Sequence, residues 1–252
     1  MPSEAPLFYG VRMDLGIRGR RAAVGGGSAG LGAATAAALV AEGVEVVICG
    51  RDEARLAATA ERLGCQWVVA DLADAPGAEA FIAAATERLG GLDIVVANAG
   101  GPPAGNFEST PLDAYRAAID MNLMSVVAMC QAAVPAMQAA GWGRVVAITS
   151  ISVRQPIAEL ILSNTARAGV TGFLKSLARE VAADGVTVNT VQPGLHRTAR
   201  VEEIYSADAL AQMPVGDADD FGAIVAFLCS EQVRFTTGAH LNVDGGAYAG
   251  LL

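Results

Sequence analysis

The stretch that decides the fold runs from Arg21 to Gly32 and reads Arg-Ala-Ala-Val-Gly-Gly-Gly-Ser-Ala-Gly-Leu-Gly. A strand-like run passes directly into a turn that contains Gly26, Gly30 and Gly32, and an Ala-rich helical run follows. Because glycine has no Cβ, the backbone N–H groups of such a turn can approach a pyrophosphate, and the helix N-terminus adds donors and a favourable dipole. Glycines also serve tight packing. The order strand, turn, helix at the first crossover nevertheless predicts a nucleotide-binding site.

Beyond this stretch, short β-rich runs alternate with longer Ala- and Leu-rich helical runs, which is typical of a parallel sheet wrapped by helices. Strands are predicted at Arg21–Gly25, Val44–Cys49, Gln66–Ala70, Ile94–Ala97, Val145–Thr149, Val186–Val191 and His240–Val243. Helices are predicted near Leu31–Ala41, Asp52–Leu63, Gly77–Leu89, Pro111–Ala140, Ser163–Ala183 and Ala218–Cys229. We therefore expect an α/β fold of the Rossmann type, a doubly wound seven-stranded parallel sheet with helices on both faces.

The length of 252 residues fits one such domain, predicted over residues 13–252. Residues 1–12 show no periodicity and no signal-peptide pattern, and they are interpreted as a flexible leader, an upstream start or a cloning remnant. The most apolar stretch, Val126–Met137, is too short to span a bilayer and contains Pro135. We expect a cytoplasmic protein with no membrane partner.

Composition excludes several classes of function. The net charge of −9, with no basic stripe, argues against a nucleic-acid partner, which needs clustered Lys and Arg. The four cysteines are scattered through apolar runs, so buried structural thiols are expected, and two histidines leave little for a metal site.

The end of the second predicted strand bears on the choice of cofactor. An acidic residue there would bond both ribose hydroxyls and select NAD, whereas this chain has Arg51 followed by Asp52. A guanidinium clamps a phosphate bidentately, so Arg51 would hold a 2′-phosphate. In the alternative interpretation Arg51 is solvated and Asp52 takes the acidic role. The sequence favours NADP(H) over NAD(H).

Two segments after strand ends have no clear period, Val153–Leu162 and His196–Pro214, the second with a short helix predicted around Glu202–Ala211. Ligands bind at the carboxyl ends of strands in open α/β sheets, so both segments are predicted to flank the site. The second is a candidate lid, because loops over sites come from weakly packed segments.

Further motifs follow the glycine turn in order. They are Asp71-Leu72, Asn98-Ala99-Gly100, Asn122, Ser150, Pro193-Gly194 with Thr198, and Asp244-Gly245-Gly246. With these motifs the chain resembles the classical short-chain dehydrogenase/reductase family, from about Met13 to Leu251, although Gly25 stands where that family usually has Thr. The run Gly172–Glu180 is similar to the 3-oxoacyl-carrier-protein reductase-like branch.

The resemblance implies NAD(P)(H)-dependent chemistry on a carbonyl or secondary alcohol. The cofactor contacts that it implies are Gly26, Ser28, Gly30, Leu31, Gly32, Arg51, Asp71, Leu72, Asn98, Ala99, Gly100, Arg167, Pro193, Gly194 and Thr198. Asn122 would hold a relay water and Ser150 would polarise the carbonyl. Taken alone, Asn98 and Asn122 could instead satisfy backbone groups, and Ser150 could simply close a strand.

The chain departs from the family at its YxxxK motif, which falls on Ser163 and Arg167. In the family the tyrosine donates a proton to the carbonyl oxygen, while the lysine lowers the tyrosine pKa and holds the ribose. A serine hydroxyl is far less acidic than a phenol of pKa ~10 and is shorter by a ring. Arg167 can bond ribose hydroxyls but relays protons poorly. An altered dyad, Ser163 and Arg167, is therefore expected, with ribose binding preserved and acid catalysis impaired.

Other side chains could supply the missing proton. His196 titrates near neutrality in principle, although a partly exposed loop histidine is the simpler interpretation. Tyr205 lies in the candidate lid, and Tyr115 is expected to pack in its helix.

Three functions stay open from the sequence. The first is an NADP(H)-dependent reductase or dehydrogenase with a remodelled proton relay. The second is a cofactor-binding protein with little or no turnover, and the third is a lyase or isomerase step on the same scaffold. The family resemblance also implies that helices Pro111–Ala140 and Ser163–Ala183 pair in a homodimer or homotetramer. A small carbonyl or alcohol is the expected substrate.

Overall fold

The computed structural model describes residues 13–251, so the predicted leader lies outside the described residues. Its centre is one parallel sheet in the order β3-β2-β1-β4-β5-β6-β7. The strands are β1 Arg21–Val24, β2 Glu45–Gly50, β3 Gln66–Val69, β4 Ile94–Ala97, β5 Gly143–Ile148, β6 Val186–Pro193 and β7 His240–Val243. The order reverses between β1 and β4, which opens a crevice at their carboxyl ends. The predicted doubly wound sheet is confirmed.

Helices cover both faces of this sheet. They are α1 Gly30–Ala41, α2 Glu53–Leu63, α3 Ala75–Leu89, α4 Leu112–Ile119, α5 Ser125–Ala140, α6 Ile161–Val181, α7 Ala199–Ile204, α8 Ala207–Leu210 and α9 Ala218–Leu228. Side chains alternate between faces along each strand. Ala23 therefore packs in the core that contains α3, α5 and α6, whereas its neighbours Ala22 and Val24 pack in the core of α1, α2 and α9.

The helix predicted as a single element over Pro111–Ala140 is divided. A π-helical turn at Asp120–Met124 separates α4 from α5. By length and composition alone the whole stretch Leu112–Ala140 could cross a membrane, but buried core helices pass the same test, half of its apolar window is buried, and α5 packs against α3.

Two other boundaries matter for the site. Helix α6 begins at Ile161, so Ser163 lies within its first turn rather than at its start. The short helix predicted around Glu202–Ala211 is replaced by two, α7 and α8, because Thr198 and Ser206 each accept a backbone N–H and start a helix.

Candidate active site

The glycine turn is connected by hydrogen bonds to both neighbouring strands. The Gly25 N–H donates to the Val96 carbonyl at 3.0 Å, and the Gly27 N–H donates to the Cys49 carbonyl at 2.9 Å. A Cβ on Gly32 would lie 2.3 Å from the Gly26 carbonyl oxygen. Because no side chain fits there, only glycine at position 32 allows the tight turn, which is the backbone geometry that pyrophosphate-binding turns use.

Asn98, at the end of β4, closes the other side of this turn. Its Nδ2 donates to the Gly25 carbonyl at 3.1 Å. A Cβ on Gly26 would approach Asn98 Nδ2 to 2.8 Å, and one on Gly25 would approach the Asn98 carbonyl oxygen to 2.5 Å. Glycine at position 25, where the family usually has Thr, therefore matches the close approach of the β4 end.

A cleft of about 750 Å³ opens at the crevice between β1 and β4. The predicted cofactor residues that line it are Gly26, Ser28, Gly30, Leu31, Gly32, Arg51, Asp71, Leu72, Asn98, Ala99, Gly100, Pro193, Gly194 and Thr198. The structure thus brings together every predicted cofactor residue except Arg167. A dinucleotide suits this lining, because the cleft holds both the glycine turn and the carboxyl ends of strands on either side of the switch point.

The β2 end of the cleft carries two arginines, Arg51 and Arg55, of which the sequence analysis named only the first. Asp52 caps α2: its carboxylate accepts the Arg55 N–H at 3.0 Å and Arg55 Nη2 at 3.0 Å. These contacts from Arg55 lower the pKa of Asp52 below its ordinary value. Asp52 is therefore engaged as a helix cap and is not among the residues that line the cleft.

The opposite end of the cleft is formed where β6 ends. The Gly194 N–H donates to the Val243 carbonyl at 2.9 Å, and a Cβ on Gly194 would lie 2.8 Å from Asp244 Cα. Thr198 caps α7, and a Cβ added to Gly30 would lie 3.5 Å from the methyl carbon of Thr198. The start of the candidate lid therefore stands beside the glycine turn.

Asn122 lies in the π-helical turn and is buried. Its Nδ2 donates to the Gly100 carbonyl at 2.9 Å, while its Oδ1 is buried without a hydrogen bond to any described residue. Other buried side-chain atoms in the same situation lie near the ends of the neighbouring strands, on Ser152, Gln192 and Asn242. Buried polar atoms are nearly always bonded, so these atoms are available as hydrogen-bond partners for a ligand or for water.

Ser150 follows the end of β5. Its Oγ accepts the Ser152 N–H at 3.0 Å, which leaves the hydroxyl proton able to point toward a substrate oxygen. Ser163 is only 9% exposed, and within residues 13–251 its side chain makes no hydrogen bond. A serine therefore occupies the expected tyrosine position without a partner that would make it acidic.

Arg167 binds the strand end. Its Nη1 donates to the carbonyls of Ile148 and Thr149, at 2.9 Å each. Neither Arg167 nor Asn122, Ser150 or Ser163 is among the residues that line the cleft, which extends in this direction to Gly101, Met121 and Leu195. The predicted ribose contact of Arg167 is therefore not brought to the cleft wall.

His196 was expected to be a partly exposed loop histidine, and this is wrong. It is 5% exposed, with Nδ1 3.2 Å from the Gly194 carbonyl oxygen and its ring centroid 5.0 Å from that of Phe221. Packing of the loop onto α9 buries it, and it lines the cleft. The prediction that Tyr115 packs is confirmed, since it contacts the small cluster of Ala118 and Leu162.

A second expectation, that all four cysteines are buried, is wrong for one of them. Cys49, Cys130 and Cys229 are buried as predicted, but Cys65 is half-buried. Burial raises the pKa of each of the three buried thiols to about 12. Cys49 lines the cleft, yet at neutral pH it stays protonated and is a poor nucleophile.

Comparison with known proteins supports the family suggested by the motifs. The family model described as "Enoyl-(Acyl carrier protein) reductase" matches residues 26–248. The 3-oxoacyl-[acyl-carrier-protein] reductase FabG of Salmonella typhimurium is 33% identical over 242 residues, which cover 93% of this chain and 99% of the relative. The chain belongs to the short-chain dehydrogenase/reductase family.

Two solved structures are similar over almost the whole chain. The 3-oxoacyl (acyl-carrier-protein) reductase of Agrobacterium tumefaciens C58, with NADP bound, is 30% identical with a TM-score of 0.87, covering 95% of this chain and 99% of that one. The L-sorbose reductase of Gluconobacter frateurii, complexed with NADPH and L-sorbose, is 27% identical with a TM-score of 0.86, covering 95% and 100%.

Proposed function

We propose that the chain is an NADP(H)-dependent oxidoreductase that acts on a carbonyl or secondary alcohol, similar to 3-oxoacyl reductases, with an atypical proton relay. The observation that carries this proposal is Ser150: its Oγ is held by the Ser152 N–H, and its own proton remains available to a carbonyl oxygen. The glycine cradle supports the cofactor part of the proposal.

The preference for NADP(H) rests on the β2 end of the cleft. Arg51 and Arg55 both line it, and the carboxylate of Asp52 is turned to the α2 N-terminus and to Arg55. A 2′-phosphate would meet two guanidinium groups there, and a guanidinium can bond a phosphate bidentately. The similar structures that contain NADP or NADPH agree with this preference.

Bound NADPH would supply the hydride. The chain's own residues would then have to stabilise negative charge on the carbonyl oxygen and provide a proton. The Ser150 hydroxyl would donate a hydrogen bond to that oxygen. Ser163 occupies the sequence position at which the family resemblance implies the tyrosine phenol. A water bound at the buried polar atoms of Asn122 and Ser152 would pass a proton to that carbonyl oxygen and take up another from bulk solvent. Without a general acid the rate is expected to be lower by about 10²–10⁴.

The test measures binding and turnover separately. NADPH binding is followed by fluorescence, and consumption is followed against ketones, quinones and 3-oxoacyl thioesters. We expect slow turnover that Ser150→Ala reduces further while NADPH still binds. Tight binding without turnover, together with turnover gained in a Ser163→Tyr/Arg167→Lys double variant, would show that the wild-type chain is not an enzyme of this kind.

The second candidate is a cofactor-binding protein with little or no turnover. It is favoured by one observation, the buried Ser163 without a hydrogen-bond partner among the described residues. A lyase or isomerase step is the third, and conversion of substrate without a change in cofactor absorbance would reveal it. We further propose that the protein acts in the cytoplasm on a small molecule and that it forms a homodimer or homotetramer.

A further inference from the structure

The carboxyl end of β5 extends beyond its pairing with β4. The last registered pair between these strands is Ala97 with Ala147. The carbonyls of the next two residues, Ile148 and Thr149, both accept hydrogen bonds from Arg167 Nη1 at 2.9 Å. Helix α6 therefore donates hydrogen bonds, through the guanidinium of Arg167, to two carbonyls at the end of β5. These carbonyls lie at the point where β5 no longer pairs with β4.

Ser150 follows these two carbonyls directly. On the β6 side, the Thr149 N–H donates to the Val191 carbonyl at 2.9 Å. Ser150 in turn accepts the Ser152 N–H on its Oγ and the Val153 N–H on its carbonyl. The position of the Ser150 hydroxyl is thus set by a strand end that is held by β6 and by Arg167.

We infer that Arg167 is a positioning residue for Ser150, and that in this chain its role is to fix the end of β5 rather than to relay a proton. The inference rests on the proposed function in one respect, that Ser150 polarises the substrate carbonyl. A guanidinium suits this role because one planar nitrogen carries two N–H donors and the group stays charged at any physiological pH.

The first experiment needs no turnover. Amide hydrogen exchange is measured by mass spectrometry across residues 148–153 in wild type, Arg167→Met and Arg167→Lys. The control is Arg179→Met, the same change at an exposed position of α6 whose side chain makes no hydrogen bond or ion pair with another described residue. We expect roughly tenfold faster exchange in this segment for Arg167→Met only, with partial recovery in Arg167→Lys. Unchanged exchange in Arg167→Met would overturn the inference.

The second experiment is a double-mutant cycle between Arg167→Met and Ser150→Ala, with acetoacetyl-coenzyme A or whichever carbonyl of the panel is reduced. Arg167→Met should lower kcat about 10–100-fold, as a misplaced catalytic group does, with the KM for NADPH changed less than about threefold. In the Ser150→Ala background it should cost almost nothing further.

The outcomes separate the two proposals. A large rise in the KM for NADPH with kcat retained would assign Arg167 to the ribose and overturn the inference, as would full additivity in the cycle. Arg167→Lys keeps a positive charge and a long side chain at this position, so it provides a second variant for the test if Arg167→Met is unstable. If wild type reduces no carbonyl, the proposed function fails, and the exchange experiment still decides whether Arg167 fixes the strand end.

Discussion

At the scale of single residues, position 163 holds a hydroxymethyl group in the first turn of α6, nine-tenths buried, where the sequence resemblance predicts a phenol. A phenol of pKa ~10 can be tuned into a working acid by a nearby cation, whereas an aliphatic hydroxyl cannot. The neighbouring cation, Arg167, is engaged with the carbonyls of β5. If Arg167 positions the end of β5 as inferred above, it is not free to tune an acid at position 163.

Arg51 is expected to select the cofactor. Arg51→Ala should weaken NADPH binding about 10–100-fold and leave NADH binding nearly unchanged, since a charge-assisted bond to the 2′-phosphate contributes about 1.5–3 kcal/mol. Arg55→Ala should act in the same direction. Fluorescence titration with both cofactors measures the ratio, and Arg62→Ala, an exposed arginine of α2 that does not line the cleft, is the control. An equal loss for NADPH and NADH would contradict this assignment.

Gly32 is expected to be required for cofactor binding. Gly32→Ala places a Cβ 2.3 Å from the Gly26 carbonyl oxygen, so the turn must move. NADPH affinity should fall at least about 100-fold and the melting temperature should drop. In Gly172→Ala the Cβ meets nothing within 4 Å on α6, and this control should stabilise the protein by about 0.5–1 kcal/mol. Retained NADPH affinity in Gly32→Ala would mean that the turn does not hold the pyrophosphate.

At the scale of elements, the sequence predicts the strands well and the helical irregularities poorly. All seven strands lie within two residues of their predicted bounds, because parallel strands in a sheet covered on both faces are short, largely apolar runs. The π-helical turn at Asp120–Met124 was not predicted. A single turn with i→i+5 hydrogen bonds produces no hydrophobic pattern that distinguishes it from the α-helix around it.

The candidate site, too, was predicted well in some parts and poorly in others. Its glycine turn and strand-end motifs were predicted because each depends on local backbone geometry. The partner of Arg167 was not, since a side chain on α6 reaching the carbonyls of β5 depends on how helix and strand pack. Arg55 and the burial of His196 likewise follow from tertiary contacts, and only the i, i+3 spacing of Asp52 and Arg55 offered a signal.

Asp93 connects β1 to the end of α3 and the start of β4, and it should make stability depend on pH. Its carboxylate accepts the Arg21 backbone N–H at 2.9 Å and Arg21 Nε at 2.8 Å. Burial alone would raise the pKa of Asp93, but the bonds from Arg21 outweigh it and the pKa lies below its ordinary value. This stabilisation is complete above the unfolded pKa of about 3.9 and is lost as pH falls through the folded pKa.

Asp93→Asn should therefore lower the free energy of unfolding at pH 7 by about 1–3 kcal/mol and flatten its decline below pH 4. Urea unfolding between pH 7 and pH 3 measures both effects. The matched control is Asp208→Asn, at an exposed position of α8. A variant curve parallel to that of wild type across this range would show that Asp93 does not contribute through its charge.

At the scale of the whole molecule, the outward face of α5 bears on assembly. This helix has no charged residue, and Ala132, Pro135, Ala136 and Ala139 are exposed on it. An exposed helix face without charge is unusual for a surface in water. We expect a second copy of the chain to cover it.

Ala136→Arg should accordingly dissociate the assembly, because an unpaired charge would be buried between two helices. Sedimentation velocity should show a dimer or tetramer for wild type and a smaller species for the variant. Ala58→Arg, at an exposed alanine of α2, should leave the sedimentation coefficient unchanged. A wild type that sediments as a monomer, or a variant indistinguishable from it, would rule out this face.

The reversal of strand order between β1 and β4 has a consequence for how such a protein can diverge. The glycine turn and Arg51 belong to the half of the sheet that ends with β3, whereas Ser150, Ser163 and Arg167 belong to the half that begins with β4. The two halves meet in the sheet at a single pair of strands. Selection can thus change the residues around Ser150 while the glycine turn and Arg51 stay intact, and a lineage can lose or exchange a reaction without first losing these two contacts to its ligand.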